Sequence, residues 1–164
     1  GMKLVVDLER LAEQERRLCF ERFDAATAWD VGQRLRQLAD GRRAALAIEV
    51  RLACETVFFC AMPGTAPANA DWARRKRNTV ELLHRSSYRV GCELQRDQAT
   101  LESRMGLPLR DYASHGGSFP LQVQGLGCIG AVTVSGLPQR EDHALVVEVL
   151  AALGGVPLHE VALD

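Results

Sequence analysis

The chain has 164 residues, 47% of them hydrophobic and 25% charged, which are ordinary proportions for one globular domain. We therefore expect a single domain over residues 1–164. The 20 basic and 21 acidic residues give a net charge of −1, which argues against a nucleic acid or a membrane as the partner. Five cysteines without a CxxC pair argue against a zinc site or a disulfide framework. We expect no signal peptide or membrane span, and we expect a soluble, cytoplasmic protein with reduced thiols.

Hydrophobic periodicity predicts the secondary structure of the first half of the chain. Apolar residues recur at helical spacing in two segments, and strand-like runs separate and follow them. Asp24 is expected to cap the second helix and Gly41 to end it, and a turn is expected at Ala53 and Cys54. In chain order, the predicted elements are a helix over 5–17, a strand over 18–23, a helix bearing the apolar stripe 28–39, and strands over 46–52 and 56–61.

The second half is predicted to be helical and then to return to strands. Asn69 or Asp71 can cap the first of these helices, Gly106 can close the third, and Pro138 suits the start of the last. Because neighbouring strands form hairpins, we expect a mainly antiparallel sheet with helices packed on it. The predicted elements are helices over about 70–84, 87–98 and 100–105, an irregular stretch over 107–114, strands over 119–124 and 128–134, and a helix whose buried face runs over 145–153.

The segment from Gly125 to Gly130 matches the pattern G-x-G-x-x-G of dinucleotide-binding loops. Such a loop must lead from a strand into a helix, so that the helix N-terminus faces the pyrophosphate. Here the chain continues as a strand through Val134. We therefore interpret these glycines as a hairpin turn and a close approach of two backbones.

A run of four basic residues, from Arg74 to Arg77, lies in the helix predicted over about 70–84. Its plain interpretation is a solvated basic face. Lys76, however, shares one face of this helix with Trp72 and Leu83. Its ammonium is therefore expected either to snorkel to solvent or to enter a polar cleft, where it could bind an anion.

Two segments in the last third carry further candidate residues, and none of the four histidines has metal-ligand spacing. His115 precedes Gly116 and Gly117, which free the backbone to expose amide groups. This loop is either a small anion-binding loop or a tight lead-in to the next strand. Ser135 precedes the last helix and His143 lies in its first turn, so this helix N-terminus either holds a ligand anion or is only capped.

Three ordered motifs also resemble those of a known family. The first begins with AMPGT at residues 61–65 and continues to residue 88, the second is YASHGGSFP at 112–120, and the third is VTVSGLP at 132–138 followed by EDH. Together they resemble a branch of the haem-degrading-domain family, within the HbpS/GlcG-like superfamily, and the resemblance spans roughly residues 18–153. It implies an α/β domain of the α+β type, profilin-like, with a five-stranded, mainly antiparallel sheet flanked by helices. It also implies a homo-oligomer built from dimers, and haem as a candidate cofactor.

We expect the three motifs to converge on one cleft that binds haem or another small anionic molecule. The expected lining residues are Trp72, Lys76, His84, His115, Gly116, Gly117, Ser135 and His143. The lysine would supply positive charge, the tryptophan an apolar wall, the histidines hydrogen bonds and the glycines backbone amides. Two alternatives remain. One is an enzyme acting on a small anionic metabolite with His115 as acid or base, which a pocket shared with His143 would favour. The other is a scaffold that binds a partner without a small ligand.

Overall fold

The computed structural model describes residues 1–164 as one five-stranded sheet with helices on both faces. The strands are β1 (Cys19–Phe20), β2 (Ala47–Leu52), β3 (Glu55–Ala61), β4 (Ser118–Val123) and β5 (Gly127–Ser135). The helices are α1 (Met2–Arg17), α2 (Ala25–Gly41), α3 (Pro67–Leu83), α4 (Ser87–Asp97), α5 (Leu101–Met105), α6 (Gln139–Gly154) and α7 (Leu158–Val161). None of these helices has the length and apolar character needed to cross a membrane.

The strands are ordered β1-β4-β5-β2-β3, and every pair is antiparallel except β1 with β4. The mainly antiparallel sheet predicted from the hairpins is therefore confirmed. Strand β5 lies at the centre, between β4 and β2, so its carboxyl end at Ser135 is surrounded by other elements. The candidate site forms at this end.

Alternate residues of the strands face opposite sides of the sheet, and the two sides differ in character. Ile48 of β2 faces the main core, a cluster of 24 buried residues between the sheet and helices α2 and α6. Its neighbour Glu49 faces α3 instead, where its carboxylate lies 3.0 Å from the Arg77 guanidinium. The α3 side therefore carries buried polar and charged groups, which position the site.

Helix α2 begins as predicted, because the Asp24 side chain accepts a hydrogen bond from the Thr27 amide in a capping box. The prediction for its end is wrong: Gly41 is still helical, and Arg43 takes the left-handed conformation, with φ of 57°. The predicted turn at Ala53 and Cys54 is confirmed. Both residues have positive φ, 51° and 63°, in a turn that usually contains Asn or Gly.

Other boundaries differ from the prediction for local reasons. The first strand has only two residues, because β1 pairs with β4 along that short length alone. Helix α3 begins at Pro67 instead of residue 70. Asn69 therefore lies within the first turn, where its side-chain oxygen accepts a hydrogen bond from the Ala66 amide at 2.9 Å. Helix α7 was not predicted, since its four residues are too few to show a helical period.

The glycines of the G-x-G-x-x-G match lie in the hairpin between β4 and β5, as interpreted from the sequence. Gly125 and Gly127 have φ of 79° and 78°, which suits a tight turn. Gly130 lies in β5, where a Cβ atom would clash with the carbonyl oxygen of Arg51 on β2. Close approach of the two central strands therefore requires glycine at this position.

Replacement of Gly130 by alanine should lower the free energy of unfolding by about 1–3 kcal/mol, because the added methyl forces β2 and β5 apart. Gly41→Ala is the matched control, since that glycine is helical and its added methyl meets open space. The control should stabilise the chain by up to about 1 kcal/mol. Urea denaturation measures both values, and equal effects of the two substitutions would contradict the close approach.

Candidate ligand-binding site

A cleft of about 260 Å³ opens where α3, the loop before β4, the end of β5 and the start of α6 meet. We call it the polar cleft. It is lined by Asn69, Trp72, Lys76, His115, Ser135, Gly136, Leu137, Gln139 and Asp142. These residues come from three segments that are far apart in the chain. The structure thus brings together one part of each motif identified in the sequence.

A buried ion pair forms the floor of the polar cleft. The Lys76 ammonium lies 3.1 Å from the Asp142 carboxylate and 3.1 Å from the Val134 carbonyl oxygen, and both side chains are buried. Burial lowers the pKa of Lys76 and raises the pKa of Asp142, while the charge of each group opposes the change in the other. The positive charge expected for a ligand at Lys76 is therefore already neutralised within the chain.

The loop that leads into α6 is held by a residue of the same helix. The Asp142 carboxylate accepts hydrogen bonds from the amides of Gly136 and Leu137, at 3.3 and 3.0 Å. An anion at a helix N-terminus is favourable, and here the protein supplies that anion itself. These two amides precede the helix, and no side chain caps its first residues, so neither of the two interpretations left open by the sequence is confirmed for this helix end.

His115 is the exposed, titratable group of the site. Its imidazole ring lies edge-on to the Trp72 ring, with 5.0 Å between ring centroids. No hydrogen bond from the chain affects the pKa of this imidazole. Partial burial lowers the pKa of His115, and the charges of Lys76 and Arg75 lower it further. The imidazole is therefore neutral at pH 7, and its nitrogens are free for a ligand.

The two glycines after His115 provide space for packing. The Gly116 amide donates to the Gln139 side-chain oxygen at 3.0 Å. It is therefore not available to a ligand, contrary to the prediction from the sequence. At Gly117, with φ of 138°, a Cβ atom would lie 2.7 Å from the Lys76 ammonium nitrogen. Glycine at this position therefore allows the lysine to reach its carboxylate partner.

Several contacts hold the loop that carries His115 against α3. The Ala113 amide donates to the Arg75 carbonyl oxygen at 3.1 Å, and the Arg75 guanidinium donates to the Leu109 carbonyl oxygen. The same guanidinium stacks on the Trp72 ring, 4.3 Å from its centroid. Arg75 is thus part of the scaffold, and the solvated basic face predicted for the run from Arg74 to Arg77 is wrong.

A larger hollow lies on the other side of His115, between α4, α5 and the loop over 107–115. Its volume is about 680 Å³, and its lining combines seven hydrophobic residues with eight others, among them Arg75 and Glu102. We call it the apolar cavity after its hydrophobic residues. A third hollow of about 200 Å³, the connecting hollow, shares Gly91, Gln95 and Ser114 with the apolar cavity and Gln139 with the polar cleft. His115 lines all three.

Four of the expected site residues do not line the polar cleft: Gly116 and Gly117, which pack beside it, and two histidines that lie elsewhere. His84 is the left-handed cap at the end of α3, with φ of 59°, and borders a separate hollow beside Cys54 and Cys128. His143 is buried under Tyr88, with 5.3 Å between ring centroids, and its Nε2 lies 2.8 Å from Gln14. His143 therefore does not share a pocket with His115, and the two-histidine arrangement that would favour an enzyme is not formed.

The sequence did not reveal three contributors to the site. Asp142 was recognised only as part of the third motif, and not as the partner of Lys76. The amide side chains of Asn69 and Gln139 line the polar cleft, although only a capping role was considered for Asn69. The sequence does contain two signals for these residues: an acidic residue near the start of the last helix, and a motif that includes Asn69. Spacing alone, however, does not show which residues that are distant in sequence come into contact.

The family model described as "Haem degrading protein HbpS-like" matches residues 23–151 of the chain. The chain belongs to the HbpS-like family. This confirms the resemblance predicted from the three motifs. Among curated relatives, the UPF0303 protein of Azotobacter vinelandii is 56% identical and covers 99% of this chain and 98% of its own length. The UPF0303 protein of Serratia proteamaculans is 52% identical over 96% of this chain and 98% of its own length.

Solved structures of HbpS-like and related proteins share the fold. The Ybr137w protein superposes with a TM-score of 0.83 at 29% identity, over 90% of this chain and 87% of that protein. HbpS itself gives a TM-score of 0.64 at 16% identity, over 80% and 89% of the two chains. PduOC, solved as a complex with heme, gives 0.63 at 18% identity, over 74% and 88%. The last two show the fold alone, and they confirm the predicted five-stranded α/β class.

The buried His143 predicts a pH dependence of stability. Burial lowers its pKa from 6.5 to about 3, so the unfolded chain binds a proton in this range that the folded chain does not. The free energy of unfolding should therefore fall as the pH drops from 6.5 towards 3, and His143→Gln should reduce this slope by up to about 1.4 kcal/mol per pH unit. His159→Gln, at an exposed position, should leave the slope unchanged. Identical slopes for the two variants in urea denaturation would contradict the burial of a neutral His143.

Proposed function

We propose that this HbpS-like protein binds a small molecule at His115, with an oxygen-bearing group of the ligand in the polar cleft. The observation that supports this most is the set of hydrogen-bond donors around the cleft. The side-chain oxygens of Asn69 and Gln139 already accept backbone amide protons, so their NH₂ groups remain as donors. The ligand class that fits is haem or a small metabolite bearing a carboxylate or phosphate.

Recognition in this cleft relies on neutral donors. The only full charges on its floor, Lys76 and Asp142, neutralise each other. Carboxylate and phosphate oxygens accept several hydrogen bonds. Besides the two amides, the cleft is lined by Ser135, Trp72 and His115, whose side chains each carry an O–H or N–H donor. A neutral, donor-rich site of this kind favours an acceptor group without requiring a free cation.

Haem fits the donor chemistry of the site. Haem iron is held in proteins by His, Cys, Met or Tyr side chains, and His115 presents an exposed, neutral imidazole beside a hollow with apolar walls. His115 would hold the iron, and the donors of the polar cleft would hold a propionate group. When bound, haem would supply a redox-active iron. This assignment is supported by the family and by the heme complex of PduOC.

We favour binding over catalysis and over a purely structural role. His143, the expected catalytic partner of His115, is buried elsewhere, and Lys76 and Asp142 are engaged with each other. Open hollows on both sides of His115 do not suit a scaffold with a closed core. The five free cysteines are compatible with a cytoplasmic setting.

A homo-oligomer is part of this proposal. Phe59 on the edge strand β3 is 49% exposed, and Trp29 on the adjacent helix α2 is 54% exposed. Apolar side chains at a sheet edge favour association with a second copy of the chain. Sedimentation of the protein as a monomer at micromolar concentration would contradict this part.

The ligand assignment is tested by haemin titration followed by absorbance spectroscopy. The wild type should give a saturable shift of the Soret band, and His115→Ala should weaken binding by about tenfold or more, because an axial ligand is lost. His159→Ala is the matched control, since that histidine is exposed and lies outside the three hollows.

If haemin does not bind, native mass spectrometry of the purified protein tests the broader claim. A co-purifying carboxylate or phosphate compound that is lost in Asn69→Asp would support the polar cleft as its site. Neither a Soret shift nor a bound small molecule would count against ligand binding at His115.

A further inference from the structure

Few buried apolar residues pack beside the apolar cavity. Its buried apolar residues, Val90, Leu94 and Leu101, form a cluster of only three, compared with 24 in the main core. Leu107 and Tyr112 pack against this cluster and also line the cavity, where they remain only partly buried. A hollow of about 680 Å³ with several hydrophobic lining residues is typical of a ligand pocket, and a bound apolar group would remove those residues from water.

The apolar cavity and the polar cleft are adjacent parts of one region. His115 lines both, and the connecting hollow shares residues with each. The backbone permits this arrangement at Gly91 of α4, where a Cβ atom would clash with the Ser114 carbonyl oxygen. The loop can therefore lie directly on α4 and present His115 between the two spaces.

We propose that the two spaces hold the two ends of one amphipathic ligand, an aromatic acid, with its ring system in the apolar cavity and its acid group in the polar cleft. This rests on the proposed function and narrows its ligand class. A small polar metabolite would leave the hydrophobic part of the cavity in water, and a purely apolar molecule would make no use of the amide donors of Asn69 and Gln139.

Two dyes with one ring system test this ligand class. Anilinonaphthalene sulfonate carries an acid group, and N-phenylnaphthylamine is its uncharged analogue. Both become fluorescent in an apolar environment. We expect saturable binding of both dyes at one site per chain, with tighter binding of the sulfonate, because only that dye has an acid group for the polar cleft.

Asn69→Asp tests the acid end of the ligand. The substitution keeps the size of the side chain and the oxygen that accepts the Ala66 amide proton, but it replaces the donor NH₂ by a negative oxygen. It should weaken binding of the sulfonate dye about tenfold or more and leave the neutral dye unchanged. Equal effects on both dyes, or no effect on either, would overturn the placement of the acid group.

Ala99→Trp tests the ring end, since Ala99 lies in a loop and lines the apolar cavity. The indole would fill the space, so binding of both dyes should be lost, whereas Ala152→Trp at an exposed position of α6 should change neither. If Ala99→Trp does not fold by circular dichroism, Leu107→Arg replaces it. Dye binding that survives in a folded cavity variant would overturn the inference.

Failure of this inference is distinguishable from failure of the proposed function. Haemin binding that depends on His115, with no saturable binding of either dye, would leave the proposed site intact and refute the aromatic-acid class. If the dyes bind with the expected pattern in the variants and haemin does not bind, the protein binds aromatic acids, and haem is not one of its ligands.

Discussion

The buried ion pair between Lys76 and Asp142 is the interaction on which the candidate site depends. It joins the middle of α3 to the first turn of α6, and the same ammonium bonds to the Val134 carbonyl oxygen at the end of β5. Two charges removed from water are tolerated only when each has its partner and its remaining hydrogen bonds. The carboxylate meets this condition through the Gly136 and Leu137 amides. The three segments are therefore fixed relative to one another, and the polar cleft lies above their junction.

The chemistry of ligand recognition follows from this internal neutralisation. A free lysine would have attracted anions by charge, but the charge of Lys76 is balanced by the Asp142 carboxylate. What remains are neutral donors whose orientation is set by backbone amides, together with the neutral imidazole of His115. Such a site selects for the shape and acceptor pattern of a ligand more than for its charge. The adjacent apolar cavity extends that selection to the body of the ligand.

Much of the fold could be predicted because its signals are local. The alternation in β2, the cap at Asp24 and the left-handed glycine at 106 each depend on residues close together in sequence. The family resemblance also placed Trp72, Lys76, His115 and Ser135 in one region, and the structure brings these four together. The left-handed turn at Ala53 was found from strand spacing, although its residues are unusual for that conformation.

The remainder of the site depends on contacts between distant residues, which spacing does not reveal. Lys76 and Asp142 are separated by 66 positions, so the pair could not be inferred from either helix alone. His84 and His143 were included because they lie in the motifs, yet one is a helix cap and the other is held by Gln14 on α1. The apolar cavity was missed because its lining comes from α4, α5 and the loop after them, and apolar residues such as Leu94 and Leu101 also have the character of core residues.

A double-mutant cycle on Lys76→Met and Asp142→Leu tests this account most directly. Each single substitution leaves a buried charge unpaired and should cost about 3–5 kcal/mol of unfolding free energy. The double variant should cost less than the two single variants together, with a coupling energy of about 2 kcal/mol or more, because neither charge remains. Costs that add within about 0.5 kcal/mol would show that the two groups do not depend on each other. They would contradict the ion pair as the interaction that positions the cleft.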